Sequence, residues 1–230
     1  IHGYDYTAGT STPKDPMPSL NSADHGTHVA GTVGAIPNNG LGVSGITADV
    51  KIMAVRSSSY RVAEMVKGIY FAKHNGATII NASWGYSYGS NCSTYDNLLY
   101  DAVADFPGLF VMAAGNSSHN HNLSTYFDSA DFGHTSPCWD ALPNFIGVTG
   151  SNDDDDIAHE YGAAIDIAAP GISVFSLNAS NSYGDKSGTS MAAPHVVGVA
   201  ALLWSFRPEL TAAEVREVLR SSGDCVAATN

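Results

Sequence analysis

Three short stretches carry residue types that could do chemistry together. In GTSMAAPHVVGVAALLW, from Gly188 to Trp204, Ser190 stands where a loop becomes a long apolar helix rich in small residues. A serine there can cap the helix by accepting a free backbone N–H, worth about 1 kcal/mol. It can also be a nucleophile, because the helix dipole and the free N–H groups stabilise a developing negative charge. In DHGTHVAGTVGAI, from Asp24 to Ile36, His25 stands at the mouth of a second small-residue helix. The positive end of that helix discourages protonation, so the imidazole stays neutral and can act as a base. His28, three positions on, is expected to face the packing. In VMAAGNSS, from Val111 to Ser118, a strand runs into a small-residue turn that presents Asn116. Its side-chain amide can donate to an oxyanion, or it can simply shape the turn.

The elements that must position these residues follow from apolar periodicity. Residues 51–55, 78–81, 109–113, 145–149 and 164–168 read as buried strands. Residues 61–74, 97–106, 189–206 and 211–221 read as helices. Strand and helix in alternation imply an α/β fold of three layers, a mostly parallel sheet with helices on both faces. Active sites in such sheets gather at the carboxyl ends of the strands. No repeat or linker divides the chain, so residues 1–230 are expected to form a single domain. Residues 115–140 are rich in Ser, Asn, His and Asp and read as a surface excursion. Pro194 is expected to be tolerated near its helix start, where N–H groups lack partners.

Charge and composition exclude several classes. A net charge of -12 disfavours nucleic acid and anionic membranes as partners. No uninterrupted apolar run approaches the length of a membrane span. Asp153 to Asp156 read as a solvated loop, and His119 and His121 as solvated loop residues. Cys92, Cys138 and Cys225 lack metal-ligand spacing, and one disulfide with a thiol left over is open. No H-E-x-x-H occurs, which argues against a zinc hydrolase. Ala192 stands where G-x-S-x-G needs its last glycine, which argues against an α/β-hydrolase esterase. Sequons occur at Asn91, Asn122 and Asn178. The chain opens at Ile1 without a start methionine or signal peptide, which suggests processing or trimming.

Taken in order, HGTHVAGT, AAGN and GTSMAAPH closely resemble the motifs of the subtilisin-like serine peptidases, the subtilases. SWG at Ser83 to Gly85, DIAAPG at Asp166 to Gly171 and GYDY at Gly3 to Tyr6 fit as well, so the resemblance spans nearly the whole chain. It implies a secreted serine endopeptidase acting on polypeptides through an acyl-enzyme on Ser190. His25 becomes the general base, and Asn116 the oxyanion donor beside the Ser190 backbone N–H. Ser83, Trp84 and Gly85 would line one side of the cleft, where an extended peptide pairs as an added strand. Ala113, Ala114 and Gly115 would line the other wall, with room for a bulky apolar residue. Trp84, larger than the leucine common in the family, would narrow its side. The resemblance also implies a structural calcium, with the Asn39 side-chain oxygen and the Leu41 and Val43 carbonyls as ligands. The family's carboxylate ligand would lie upstream of Ile1; the alternative is a plain Asn-Gly turn.

The pattern breaks at the acid. Subtilases run Asp, His, Ser along the chain, with the Asp in D-T-G or D-S-G at the end of the first long buried strand. No such motif precedes His25. Asp5 belongs to the GYDY strand, Asp15 has no matching context, and Asp24 is the immediate neighbour of His25. The acid, and the strand that carries it, are therefore expected from another segment, the N-terminal part of the same precursor. The C-terminal end also looks short, so the domain is expected to be incomplete at both ends. In subtilisin itself, losing the triad Asp alone lowers turnover by roughly four orders of magnitude. This chain alone is expected to have weak or no activity. The alternatives are an impaired pseudo-peptidase or binding fragment, and a peptide ligase on the same scaffold.

Overall fold

Leu109–Ala113 and Phe145–Ser151 are apolar or small almost throughout, and both form strands buried at every position. That is the signature of parallel strands covered on two faces. The computed structural model describes residues 3–6, 24–57, 62–84, 94–116, 141–162 and 165–225. In chain order its elements are β1 (Gly3–Asp5), α1 (Asp24–Gly34), β2 (Ala54–Arg56), α2 (Val62–His74), β3 (Ile79–Ala82), α3 (Thr94–Ala104) and β4 (Leu109–Ala113). There follow β5 (Phe145–Ser151), β6 (Ile167–Pro170), β7 (Val174–Asn178), β8 (Ser182–Lys186), α4 (Thr189–Phe206) and α5 (Ala212–Ser222).

Strands β3, β4, β5 and β6 lie side by side in that order, all parallel. One face of this sheet packs Val111, Ile146 and Val148 against α1, α4 and α5 through Val33, Ala193, Val197 and Val215. The other face packs Phe110, Met112 and Phe145 against α2 and α3 through Met65, Ile69, Leu99 and Val103. The three-layer α/β arrangement expected from the sequence is thus present.

Two features depart from the expected single sheet. Strands β1 and β2 pair in parallel as a sheet of their own. In β2, Ala54 and Val55 are exposed, in contrast to β4 and β5. Strands β7 and β8 form an antiparallel hairpin that the sequence reading did not contain. Its residues are mostly polar, and its turn uses left-handed Ser180 (φ 61) and Asn181 (φ 55) rather than glycine. Asn178, one of the sequon asparagines, sits in β7 with its Oδ1 buried and without a partner.

Helix α4 is long and apolar enough to span a membrane, yet half of it is buried inside the fold. It lies against α1 and strands β3 to β6 as the central helix of its layer. Helix α5 is fixed at its start by a reciprocal capping box between Thr211 and Glu214. It is also tied to the sheet: Arg216 and Arg220 reach Asp166 at 2.8 and 3.2 Å, and Gly147 N–H donates to the same carboxylate at 2.8 Å. Asp153 to Asp156 are exposed, as expected of a solvated loop. Cys225 is an exposed free thiol. Cys92, Cys138, His119 and His121 lie outside the described residues.

Candidate active site

The serine side of the site is built around the start of α4. The residue that caps this helix is Gly188, at φ 143 and with no side-chain cap. Ser190 is therefore not the cap but the second helical residue. Gly188 is required twice. Its φ lies in a region that L side chains rarely adopt, and an added Cβ would come within 3.1 Å of Asn116 Oδ1. Its N–H donates to Gly171 O at 2.7 Å, which fixes where the helix begins.

Thr189 joins that helix start to the end of β4. It is buried, and its Oγ1 donates to Gly115 O at 2.9 Å and accepts from Gly115 N–H at 3.0 Å. Its backbone N–H donates to Asn116 Oδ1 at 2.9 Å. The amide oxygen of Asn116 is thereby engaged, and the NH2 end is left to donate to a ligand. The turn requires Gly115 at φ 120. Sequence reasoning missed Thr189; the only available signal was its place beside Ser190. Ser83 meets Ser190 directly: Ser190 Oγ donates to Ser83 O at 3.4 Å.

The histidine side is built from α1 and the hairpin. His25 is the second residue of α1 and is exposed. Its pKa is lowered from the ordinary imidazole value, first by the desolvating protein around it, then by Lys186 and His28. His28 is fully buried, as expected. Its Nε2 lies 2.9 Å from Val174 O and 3.1 Å from Gly184 O, so that nitrogen is the donor, and α1 is tied to both strands of the hairpin. Ser176 Oγ returns a hydrogen bond to His28 O at 2.8 Å. An added Cβ on Gly31 would strike Ser176 Oγ at 2.6 Å, so the close approach of α1 to β7 requires glycine there. The hairpin absent from the sequence reading is thus what holds the histidine helix.

Helices α1 and α4 adjoin, so His25 and Ser190 each stand in the first turn of one of two neighbouring helices. No hydrogen bond joins the two among the described residues. Catalytic hydrogen bonds are often long before substrate arrives. Of the carboxylates weighed as acids, Asp5 and Asp24 are engaged elsewhere. Asp5 pairs with Arg56 at 3.3 Å across β1 and β2, and Asp24 accepts Ala179 N–H at 2.8 Å. Asp15 lies outside the described residues.

Ala113, Ala114 and Gly115 are buried at the carboxyl end of β4. Trp84 turns its ring toward the α2 and α3 layer, edge-on to Phe110 with centroids 6.3 Å apart. Gly85 lies outside the described residues. In the loop proposed for calcium, Asn39 Oδ1 accepts Leu41 N–H at 2.9 Å, an Asx turn. Asn38, Gly40 and Gly42 take left-handed φ values of 59, 73 and 54. The residues lining this hollow, Ile36 and residues 38–44, offer oxygens of the right kind but no carboxylate. Calcium takes about six to eight oxygen ligands. The loop by itself does not fit the ion, and the described residues hold no cluster of three or more His, Cys, Asp or Glu suited to a metal.

A parallel α/β sheet with a serine at a helix start, a neutral histidine at a neighbouring helix start and an oriented amide between strand and helix defines a serine hydrolase scaffold. Residues 2–227 match the subtilase family, Peptidase_S8, and the chain belongs to that family of serine proteases. It is similar to subtilisin DY of Bacillus licheniformis, 37% identical over 202 residues, covering 86% of this chain and 69% of that protein. It is 34% identical over its full length to the thermophilic serine proteinase of Bacillus sp. (strain AK1), of which it covers 52%. Among solved structures, a cold adapted subtilisin-like serine proteinase superimposes with a TM-score of 0.70 at 28% identity, over 96% of this chain and 74% of that one. The chain thus spans about half to seven tenths of the length of these two sequence relatives.

Proposed function

We propose that this chain hydrolyses peptide bonds as a serine endopeptidase. Ser190 Oγ attacks the scissile carbonyl while His25 takes its proton. His25 then returns that proton to the leaving amine, and an acyl ester on Ser190 remains. Water attacks the ester with His25 again as base, which frees the acid product and the serine. The oxygen that turns negative in each tetrahedral intermediate accepts from Asn116 Nδ2 and from Ser190 N–H. The single observation that carries this reading is the 2.9 Å bond from Thr189 N–H to Asn116 Oδ1. It locks the amide donor to the nucleophile's own helix turn. Extended polypeptide would lie along Ser83, Trp84 and Gly85, with a bulky apolar side chain against Ala113, Ala114 and Gly115.

The acid belongs to a further segment, the N-terminal part of the same precursor, which enters as a strand between β2 and β3. Three observations support this. The two parallel sheets are separate, the β2 residues Ala54 and Val55 are exposed, and Asp5 and Asp24 are engaged elsewhere. An open edge of this kind calls for pairing. Residues 1–230 then act as one peptidase domain with that segment. Calcium at the loop of Asn39, Leu41 and Val43 would need a carboxylate from outside the described residues. Kinship to subtilisins supports an extracellular setting.

The test is labelling of the purified protein with a fluorophosphonate, followed by peptide mass spectrometry, with Ser190→Ala as control. Modification confined to Ser190, and hydrolysis that vanishes in Ser190→Ala, would support the enzyme. No labelling, even with an added D-T-G or D-S-G segment, would leave a binding protein. Product analysis with an added amine nucleophile separates hydrolysis from ligation.

A further inference from the structure

Pro194 sits inside α4, in the second turn. Position i−4 to it is Ser190. An α-helix would normally bond the N–H of residue 194 to the carbonyl of residue 190, and proline has no N–H. The sequence expectation that Pro194 falls among the free N–H groups of the first turn is therefore corrected: with Gly188 as cap, Pro194 is the sixth helical residue and leaves one carbonyl, that of the nucleophile, without its helical donor. That carbonyl has another donor. Ser83 Oγ donates to Ser190 O at 2.8 Å, across 107 residues of sequence. Ser83 Oγ in turn accepts from Asn81 Nδ2 at 2.8 Å.

We propose that Asn81, Ser83 and Pro194 form a positioning relay for Ser190. Pro194 vacates the nucleophile's carbonyl, Ser83 takes it, and Asn81 aims the Ser83 hydroxyl. The relay fixes the Ser190–Met191 peptide plane from the β3 side, while the Thr189 N–H bond fixes the Gly188–Thr189 plane from the β4 side. The Ser190 N–H and Oγ lie between those two planes, so both are aimed by them. Asn81 lies on β3, the edge strand of the four-stranded sheet, and its Oδ1 is buried without a partner. The relay therefore ends at the edge where the acid-bearing strand of the proposed function would enter. None of these residues reaches the reacting atoms through the relay; they act through Ser190.

The relay rests on the proposed role of Ser190, and its test separates the two. The rate of Ser190 phosphonylation by a small fluorophosphonate would be measured in wild type, Ser83→Ala, Ser83→Thr, Pro194→Ala and Ser83→Ala/Pro194→Ala. Ser83→Ala is expected to slow the bond-forming step about tenfold with little change in reagent binding. Ser83→Thr, which keeps the hydroxyl, is expected to restore most of the rate. In the Pro194→Ala background the new N–H takes over the carbonyl, so removing the Ser83 hydroxyl should slow the reaction less than about twofold. Equal slowing in both backgrounds, or no rescue by threonine, would overturn the relay. If no variant is labelled, the proposed function fails, and the relay is read from urea midpoints of the same variants. There the Ser83→Ala shift should shrink markedly in the Pro194→Ala background, and additive shifts would overturn it. Ser83→Cys, a weak donor of similar size, replaces Ser83→Ala in both readouts if that variant does not fold.

Discussion

The two halves of the site stand on different foundations. Ser190 and Asn116 rest on β4, β5 and the start of α4, which are buried almost without interruption. Three hydrogen bonds of Thr189 to Gly115 and Asn116 join β4 to that helix start, and Gly188 ties the start to Gly171. His25 rests instead on the end of α1, held by a polar hairpin, exposed, and facing the positive charge of Lys186. Strands β1 and β2 form a sheet of their own. In the proposed mechanism the oxyanion side is thus preorganised by packing, whereas the base side would take a carboxylate and a strand from a further segment. The proposal thus sets a rigid electrostatic donor against a base whose acid partner comes from elsewhere.

The largest expected effect lies on the oxyanion side. Asn116→Ala should slow Ser190 acylation by on the order of 10²- to 10³-fold, the size established for such a donor in subtilisin. Circular dichroism should be unchanged, since Asn116 is exposed. A loss below tenfold would mean that the corner is less preorganised than its hydrogen bonds imply.

Next comes Thr189→Val, which leaves the buried N–H and C=O of Gly115 without partners. Leaving such groups unpaired costs about 1–3 kcal/mol each, and less where they relax toward water. Urea unfolding should show a loss of about 1–3 kcal/mol. An unchanged midpoint would show that Thr189 does not hold the corner together.

Acid should act first on the histidine layers. His28 and His195 have pKa values lowered from 6.5, chiefly by burial. The unfolded chain then binds more protons than the folded one below about pH 6.5, so stability falls as pH drops from there toward the folded values. The thermal midpoint should be flat above neutrality and decline below it. His28→Gln should flatten part of that slope, and an unaltered slope would remove His28 from the account.

The base side gives a smaller but sharper signal. Because the His25 pKa is lowered, the acid limb of the labelling rate should lie below the ordinary imidazole value. Addition of a peptide carrying D-T-G or D-S-G should move that limb upward, since a nearby carboxylate favours the imidazolium. No movement on binding would place the added carboxylate elsewhere. The smallest effect belongs to Thr211→Ala, remote from both halves, which removes the capping box of α5 for about 1 kcal/mol. It should leave labelling untouched.

Much of the fold was legible because burial repeats in the sequence. The limits of β4 and α4 match the expected residues 109–113 and 189–206, where nearly every side chain is apolar or small. Strand β2 was shifted: residues 51–55 were expected, and Ala54–Arg56 pair. Val50 and Ile52 instead close over Gly34 at the end of α1, so their apolar character serves packing rather than pairing. The β7–β8 hairpin was illegible because its order comes from contacts with His28 and from a turn without glycine.

By itself, the sequence determined which residue types could react and roughly where they sit. Ser190 and His25 were marked by small-residue helices, Asn116 by a strand ending in a tight turn, and the family by the order of the three. What only the tertiary structure decided is how those groups are aimed. That Gly188 rather than Ser190 caps α4 goes with its N–H bond to Gly171, and that Thr189 claims the oxygen of Asn116 and Ser83 the carbonyl freed by Pro194 depends on hydrogen bonds between residues 73 and 107 positions apart. Local propensity carries no record of such pairings. They arise when the sheet brings the ends of β3 and β4 under one helix start, where every buried donor and acceptor must find a partner.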